Sequence, residues 1–464
     1  MIALLILLNA YFVSFTDKPT DGELALSPRA IEQRAKWNIP TNELDYPINA
    51  TYVDSLCHLG AELCHTSRWF NGATVLMDEE TAAQVAELSF VQSVEITRDN
   101  SSPRPWFAPW RIQQQAEQTS ENQTDAQLSL YNLQPLHEAG FEGQGILLTV
   151  CDGGFYNANT VSCFRQSELE LGHFDFTDDA DDFYGETGTH GTECLSAISG
   201  IRSSYYGAAT KSQYYLMRSE ENDTESPKEM DNLVAAFEKA DSLGVNVFSV
   251  SLGYAMFDNR SWDLPKSSLD GKSTRVSQAA TIAARKGMLV CVAAGNEGDG
   301  SWHTISTPAD ADSVLTVGAV NKSGRIGAFS SYGPSADGRI KPEVCAVGVS
   351  ATLVSPNGTI VTSNGTSFAT PLLAGLAASL WSALPSENAM QIRDRIIASS
   401  DRVDNPDRNQ YGYGIPDAWK AYSMYAESVG NVSDEVESRK ILRNGQILIM
   451  RQGRIYNVSG QRIE

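Results

Sequence analysis

Four short apolar runs constrain this chain more than anything else in it: ILLTVC (146–151), VNVFSV (245–250), MLVCVAA (288–294) and SVLTVGAV (313–320). Each is hydrophobic almost without interruption, the pattern of parallel strands buried on both faces; a strand with one wet face would alternate. Helical patterning lies between them. PKEMDNLVAAFEKADSLG opens with Pro227 and stops at Gly244, VSQAATIAARKG stops at Gly287, and FATPLLAGLAASLW runs from Phe368 until Pro385 forbids continuation. Strand, helix and strand in this order close by crossover connections, so residues 125–428 are expected to form an α/β domain, a parallel sheet with helices on both faces.

Residues 11–98 have a different rhythm. YFVSFT is strand-like, SPRAIEQRAKW is a helix with Ser27 as its cap and Pro28 in its first position, and TYVDSLCHLG is a helical piece closed by Gly60. AELCHTS and NGATVLM suggest strands, DEETAAQVAEL from Asp78 a helix with acids in its first turn, and VQSVEIT a closing strand. The order is close to β-α-β-β-α-β, the split βαβ plan of a small α+β domain. Residues 99–124, rich in Pro, Ser and Gln and without periodicity, read as a linker. Beyond 428 a polar stretch leads to Asn444-Gly445 and Gln452-Gly453, which mark hairpin turns, so 429–464 is expected to be a linker followed by a short β-hairpin tail.

The first ten residues, MIALLILLNA, are apolar but far short of the about 20 needed to span a bilayer, and no later stretch approaches that length, so no transmembrane segment is expected. They read as a signal-peptide remnant (1–10), which predicts an exported protein, in the periplasm, at the cell surface or outside the cell. Acids outnumber bases 57 to 35, for a net charge of −22, and a surface of that sign excludes nucleic acid as the expected partner. Seven cysteines, an odd number in a chain of 464 residues, exclude a small disulfide-stapled fold.

Ligands of open parallel sheets bind at the carboxyl ends of the strands. The first run ends in Asp152-Gly153-Gly154, the second in Ser251-Leu252-Gly253 and the third in Gly295-Asn296-Glu297-Gly298. Two further segments open helices: Thr189-His190-Gly191-Thr192 and Asn364-Gly365-Thr366-Ser367. A serine hydroxyl is a poor nucleophile until a base takes its proton, and neutral imidazole is the fitting base near neutral pH. The imidazole needs a carboxylate to fix its tautomer and stabilise its cation. Asp152, His190 and Ser367 supply those three parts, and the side-chain amide of Asn296 could complete an oxyanion hole.

TVCDGG, HGTECLSAISG, SVSLGY, VAAGNEG and SNGTSFATPLLAG, in that order, resemble the signature blocks of subtilisin-like serine proteases, the subtilases. The resemblance covers roughly 125–428. It implies a serine endopeptidase acting on polypeptide substrates, with Ser367 as nucleophile, His190 as base then acid, Asp152 orienting it, Asn296 as oxyanion donor, and Ser251, Leu252 and Gly253 pairing with substrate backbone. The unit 11–98 is similar to the family's inhibitory propeptide. It would serve as intramolecular inhibitor and folding chaperone, with its maturation cut in 99–124. No cofactor is implied as required, and although subtilases often bind Ca²⁺, no Ca²⁺ site is located and no metal ligand is assigned. The end of the tail, GRIYNVSGQRIE, resembles C-terminal sorting or adhesion modules of exported bacterial proteins. The match has departures: Gly153 where Ser or Thr is common, Glu193 where a second His is frequent, and AVG at 346–348 in place of Ala-Pro-Gly. The G-x-S-x-G elbow of esterase-type hydrolases is absent around Ser367.

Other chemistry-bearing residues have plainer readings. His58, His65, His137, His173 and His303 lack ligand spacing and read as surface or packing residues. Cys151, Cys194, Cys291 and Cys345 lie in apolar segments and read as buried thiols. Cys57 and Cys64 have the spacing to close a short loop, and Cys163, in a polar loop, reads as the reactive thiol. Asp178, Asp179, Asp181 and Asp182 lack EF-hand spacing and read as a solvated loop. Glu220, Glu221, Asp223 and Glu225 read as an exposed acidic turn beside the cleft, the alternative being a preference for basic side chains upstream of the scissile bond. Both the segment 1–124 and the α/β region are acidic, so docking between them is expected to rest on shape and apolar burial more than on charge.

Overall fold

The computed structural model describes residues 8–99 and 124–424, except 165–168, 178–181, 187, 203–204 and 222–223, together with the backbone of three strands between 438 and 456. The N-terminal unit runs β1 (Asn9–Phe15), α1 (Pro28–Trp37), α2 (Ala50–His58), β2 (Glu62–Ser67), β3 (Gly72–Met77), α3 (Glu79–Ala86) and β4 (Val91–Arg98). Its sheet has the order β2-β3-β1-β4 with antiparallel neighbours, the split βαβ plan. Ser27, Asn49 and Asp78 cap the three helices through their side chains. The boundary drawn after Ala10 falls inside β1: Ala10 is buried and pairs with Leu76 and Arg98.

The larger unit contains α4 (Asp125–Ser129), α5 (Gln134–Glu138), β5 (Leu147–Asp152), β6 (Glu170–Asp175), α6 (His190–Ser199), β7 (Ile201–Arg202), β8 (Tyr205–Tyr206) and β9 (Gln213–Arg218). It continues with α7 (Pro227–Leu243), β10 (Val247–Val250), α8 (Arg275–Arg285), β11 (Leu289–Ala293), β12 (Leu315–Val320), β13 (Val344–Val347), β14 (Ala351–Val354), β15 (Ile360–Ser363), α9 (Thr366–Ala383) and α10 (Ala389–Ser399). Seven strands form one parallel sheet in the order β13-β12-β11-β10-β5-β9-β6. The four apolar runs are β5, β10, β11 and β12, all buried throughout. β6 alternates between half-buried and exposed residues, as an edge strand does, and so carries no continuous apolar run.

Helices cover both faces. α6, α9 and α10 pack into one apolar cluster, α7 and α8 into another on the opposite face. From β5 the chain crosses to the edge strand β6 and returns through β9, then steps outward on the other side from β10 to β13, which places the switch in strand order between β5 and β10. At such a switch the carboxyl ends of the two strands diverge and leave a crevice. In the tail, β16 (Ser438–Arg443), β17 (Gln446–Arg451) and β18 (Arg454–Tyr456) pair in order as an antiparallel meander.

The N-terminal unit packs on α7 and α8 through apolar contact, with Trp69, Leu44 and Phe70 joining the cluster of those helices, and also through ion pairs that the net charges of the two units did not suggest. Arg34 meets Asp45 at 2.6 Å and Asp241 at 2.7 Å; Arg68 meets Asp241 at 2.6 Å and Glu238 at 3.3 Å; Lys286 meets Asp45 at 2.9 Å. All are buried. Net charge describes the far field, whereas these pairs are set by which few residues face each other.

Candidate active site

Asp152 ends β5, at the switch in strand order, and is 1% exposed. His190 opens α6, and its Nδ1 lies 2.8 Å from Asp152 Oδ1. The close approach of α6 to β5 depends on Gly191: a Cβ there would stand 2.5 Å from the Gly154 carbonyl and 2.9 Å from the Asp152 side chain. His190 Nε2 has no hydrogen-bond partner among the described residues. Burial by itself disfavours the charged ring, but the Asp152 carboxylate and the contacts with Cys194 outweigh it and hold the His190 pKa well above its ordinary value. Glu193, one turn along α6, is buried, and burial raises its carboxyl to about 7.

Ser367 is the second residue of α9, whose first backbone N–H groups have no partner within the helix. Its Oγ lies 3.3 Å from the Ser251 carbonyl oxygen. Its own carbonyl is the one that residue 371 would bond in an ordinary helix, and residue 371 is proline, which has no N–H. That carbonyl instead accepts from Ser251 Oγ at 2.7 Å and from Cys194 Sγ at 3.3 Å. Through that carbonyl the first turn of α9 is tied to the end of β10 and to the middle of α6. Phe368 lies against His190, with ring centroids 5.2 Å apart.

Asn296 follows Gly295, whose φ of 107° favours glycine. Asn296 Oδ1 accepts from the Thr366 backbone N–H and from Thr366 Oγ1, both at 2.9 Å. With Oδ1 so engaged, Nδ2 is the atom left for the cleft that Asn296 lines together with Ser367. Ser251, Leu252 and Gly253 line the same cleft, and the backbones of Leu252 and Gly253 make no backbone hydrogen bond among the described residues. The cleft is open to solvent, with Ala255, Met256 and Trp302 among its apolar lining. Pro371, Met256 and Trp302 went unread in the sequence, while Cys194 was read only as a buried thiol and Thr366 only as part of a helix start. Pro371 alone left a signal, its position four residues after a serine at a helix start; the others meet the site only through the fold.

Among the described residues, Asp152, His190 and Cys194 form a group whose ligand atoms lie within 4.8 Å of one another. It suits a metal poorly, because His190 Nδ1 is engaged by Asp152 and burial raises the Cys194 thiol to about 11, so the sulfur keeps its proton. Cys163 is 1% exposed and burial pushes its thiol to about 12, which corrects its reading as a reactive group. No disulfide joins Cys57 to Cys64. Glu220, Glu221 and Glu225 are buried, not an exposed turn, because they fold in under α7 and its loop; Asp223 lies outside the described residues, as do Asp178, Asp179 and Asp181.

Comparison with known proteins gives one family. Residues 143–414 match the subtilase family, and residues 10–119 match the peptidase S8 propeptide domain of Bacteroidota. Subtilisin NAT of Bacillus subtilis subsp. natto is 26% identical over 373 residues, covering 79% of this chain and 84% of that protein. Subtilisin of Bacillus pumilus is 30% identical over 268 residues, covering 57% of this chain and 87% of that protein. Among solved structures, MycP1 from Mycobacterium smegmatis shares the fold with a TM-score of 0.53 at 22% identity, over 67% of this chain and 88% of that one.

Proposed function

The chain belongs to the subtilase family of serine endopeptidases, and on that premise we propose that it cleaves peptide bonds through an acyl-enzyme on Ser367. The observation that carries the assignment is the 2.8 Å bond from His190 Nδ1 to Asp152, which leaves His190 Nε2 open beside the first turn of α9. In this reading Ser367 Oγ turns from the Ser251 carbonyl to His190 Nε2, gives up its proton and attacks the substrate carbonyl. His190 then passes that proton to the leaving amine, and a water repeats the sequence to release the acid. The Ser367 N–H and Asn296 Nδ2 stabilise the oxyanion. Substrate backbone adds as a strand along Ser251 to Gly253, whose free backbone groups support that role. The apolar cleft beside Met256 and Trp302 takes the side chain preceding the scissile bond.

The N-terminal unit, which matches a propeptide domain, acts as intramolecular inhibitor and folding chaperone in this reading, and its linker holds the maturation cut. Export fits secreted relatives such as the subtilisins. The chemistry uses side chains and water alone, and no Ca²⁺ position is assigned. Ser367→Ala should abolish casein hydrolysis, a loss of about 10⁶ on the scale known for the subtilisin triad, and end labelling by a fluorophosphonate, with an unchanged circular-dichroism spectrum. Retained turnover in that variant would remove Ser367 from the mechanism.

A further inference from the structure

The segment proposed to pair with substrate, Ser251 to Gly253, is held at both of its ends. At one end Ser251 Oγ donates to the Ser367 carbonyl at 2.7 Å, which fixes it against the turn that bears the proposed nucleophile. At the other end Tyr254 is committed through backbone and side chain alike. Its N–H donates to the Thr307 carbonyl at 2.8 Å, and its carbonyl accepts from the Thr307 N–H at 3.1 Å. Its side chain is buried, and its hydroxyl donates to Glu220 Oε1 at 2.5 Å, with the Glu229 carbonyl farther off at 3.4 Å.

Glu220 leads back to the proposed triad. It follows Ser219, whose N–H donates to the Asp152 carbonyl at 3.2 Å, and its side chain comes within 3.4 Å of where a Cβ on Gly153 would stand. The Tyr254 hydroxyl therefore joins the far end of the substrate-pairing segment to the strand end that carries Asp152, while Ser251 joins the near end to Ser367. The three residues between these ties span about 10 Å, so the direction of the segment past Ser367 is set by both ends together. Burial, with repulsion from Asp152, raises the Glu220 carboxyl to about 7. Near neutral pH that group is partly protonated, and what it offers Tyr254 is an acceptor oxygen more than a full charge.

We propose that Tyr254, through its bond to Glu220, is a positioning residue for peptide hydrolysis: it sets the line along which the substrate backbone runs before the scissile bond. This rests on the endopeptidase reading and on pairing along Ser251 to Gly253. Tyr254 touches no reacting atom and acts only through the segment it holds. A substrate that extends along the segment feels the tie, because small errors of placement at the reacting carbonyl are costly, whereas a substrate with a single residue there does not.

The test compares two substrates on the full chain, assayed once its activity is constant and expressed per active site titrated with a fluorophosphonate. One is an internally quenched peptide with five residues before the scissile bond; the other is the p-nitrophenyl ester of N-acetylphenylalanine, which has one. In Tyr254→Phe, kcat/KM for the peptide should fall about five- to tenfold, the scale of one buried hydrogen bond, while that for the ester changes by less than about twofold. Glu220→Gln keeps an acceptor oxygen and should keep both values within about twofold of wild type. An unchanged peptide rate in Tyr254→Phe would overturn the proposal, as would an equal fall on both substrates, which marks a hydroxyl that holds the triad or the fold instead. A fall on the peptide that Glu220→Gln shares would overturn the hydrogen bond as its cause. Should Tyr254→Phe fail to fold, as its circular-dichroism spectrum would show, Glu220→Leu removes the acceptor instead and carries the same expectation. A wild-type chain that neither labels nor cleaves would overturn the endopeptidase reading and the proposal with it.

Discussion

His190 is held in a state opposed to the one its proposed task requires. A raised pKa favours imidazolium, while a general base must be neutral, so kcat/KM should rise with pH through a midpoint above the ordinary histidine value of about 6.5. The sign follows from the carboxylate partner: the proton bound at low pH is the one that must leave before Ser367 can be activated. Asp152→Asn should lower that midpoint and cut turnover by about 10⁴, the scale known for such a change in a serine-protease triad; both are read from the pH profile of peptide hydrolysis. An unshifted midpoint would show that Asp152 does not set the His190 charge. The residue types of the proposed triad could be picked out in the sequence because nucleophilic chemistry demands them. The Glu193 carboxyl raised to about 7 was not, since its environment is burial supplied by the rest of the molecule.

At the level of elements, the first turn of α9 ties three parts of the fold together. Thr366 fixes Asn296 through its N–H and its hydroxyl, and the hydroxyl also accepts from the Gly295 N–H at 3.2 Å. Thr366→Val removes the hydroxyl and keeps the shape. It should lower kcat by about tenfold with little change in KM, because the amide is then less well aimed at charge that appears only in the transition state. Steady-state kinetics on a single peptide decides this, and a change confined to KM would contradict the role given to Thr366. Why the element exists was readable: four continuous apolar runs can be buried only as central strands, and α9 is the most uniformly apolar helix that could cover them. β6 escaped that reading because it alternates, and β13 escaped it although its four buried residues carry the same pattern as β10.

Across the whole molecule, the N-terminal unit is held by ion pairs as well as by apolar contact. Asp241 meets both Arg34 and Arg68, so Asp241→Ala removes one carboxylate from each, Arg34 keeping Asp45 and Arg68 keeping Glu238, and should weaken the docking by about 1.5–3 kcal/mol. That corresponds to roughly 10- to 150-fold in the dissociation constant of the severed unit, and it should shorten the lag before peptide hydrolysis begins; an unchanged lag would show that the pairs are not what holds the precursor closed. Buried pairs are little screened, so added salt should shorten the lag far less than the substitution does. The division between sequence and structure follows from range. Periodicity, breakers and residue chemistry are local, and they determined the parallel α/β plan, the split βαβ unit and the residues offered for catalysis. Which carboxylates would lie buried under α7 and which arginines would meet them depend on packing between segments more than a hundred residues apart. Only the tertiary structure decided those, because an ion pair's energy is set by distance and desolvation, and neither quantity exists until the chain has folded.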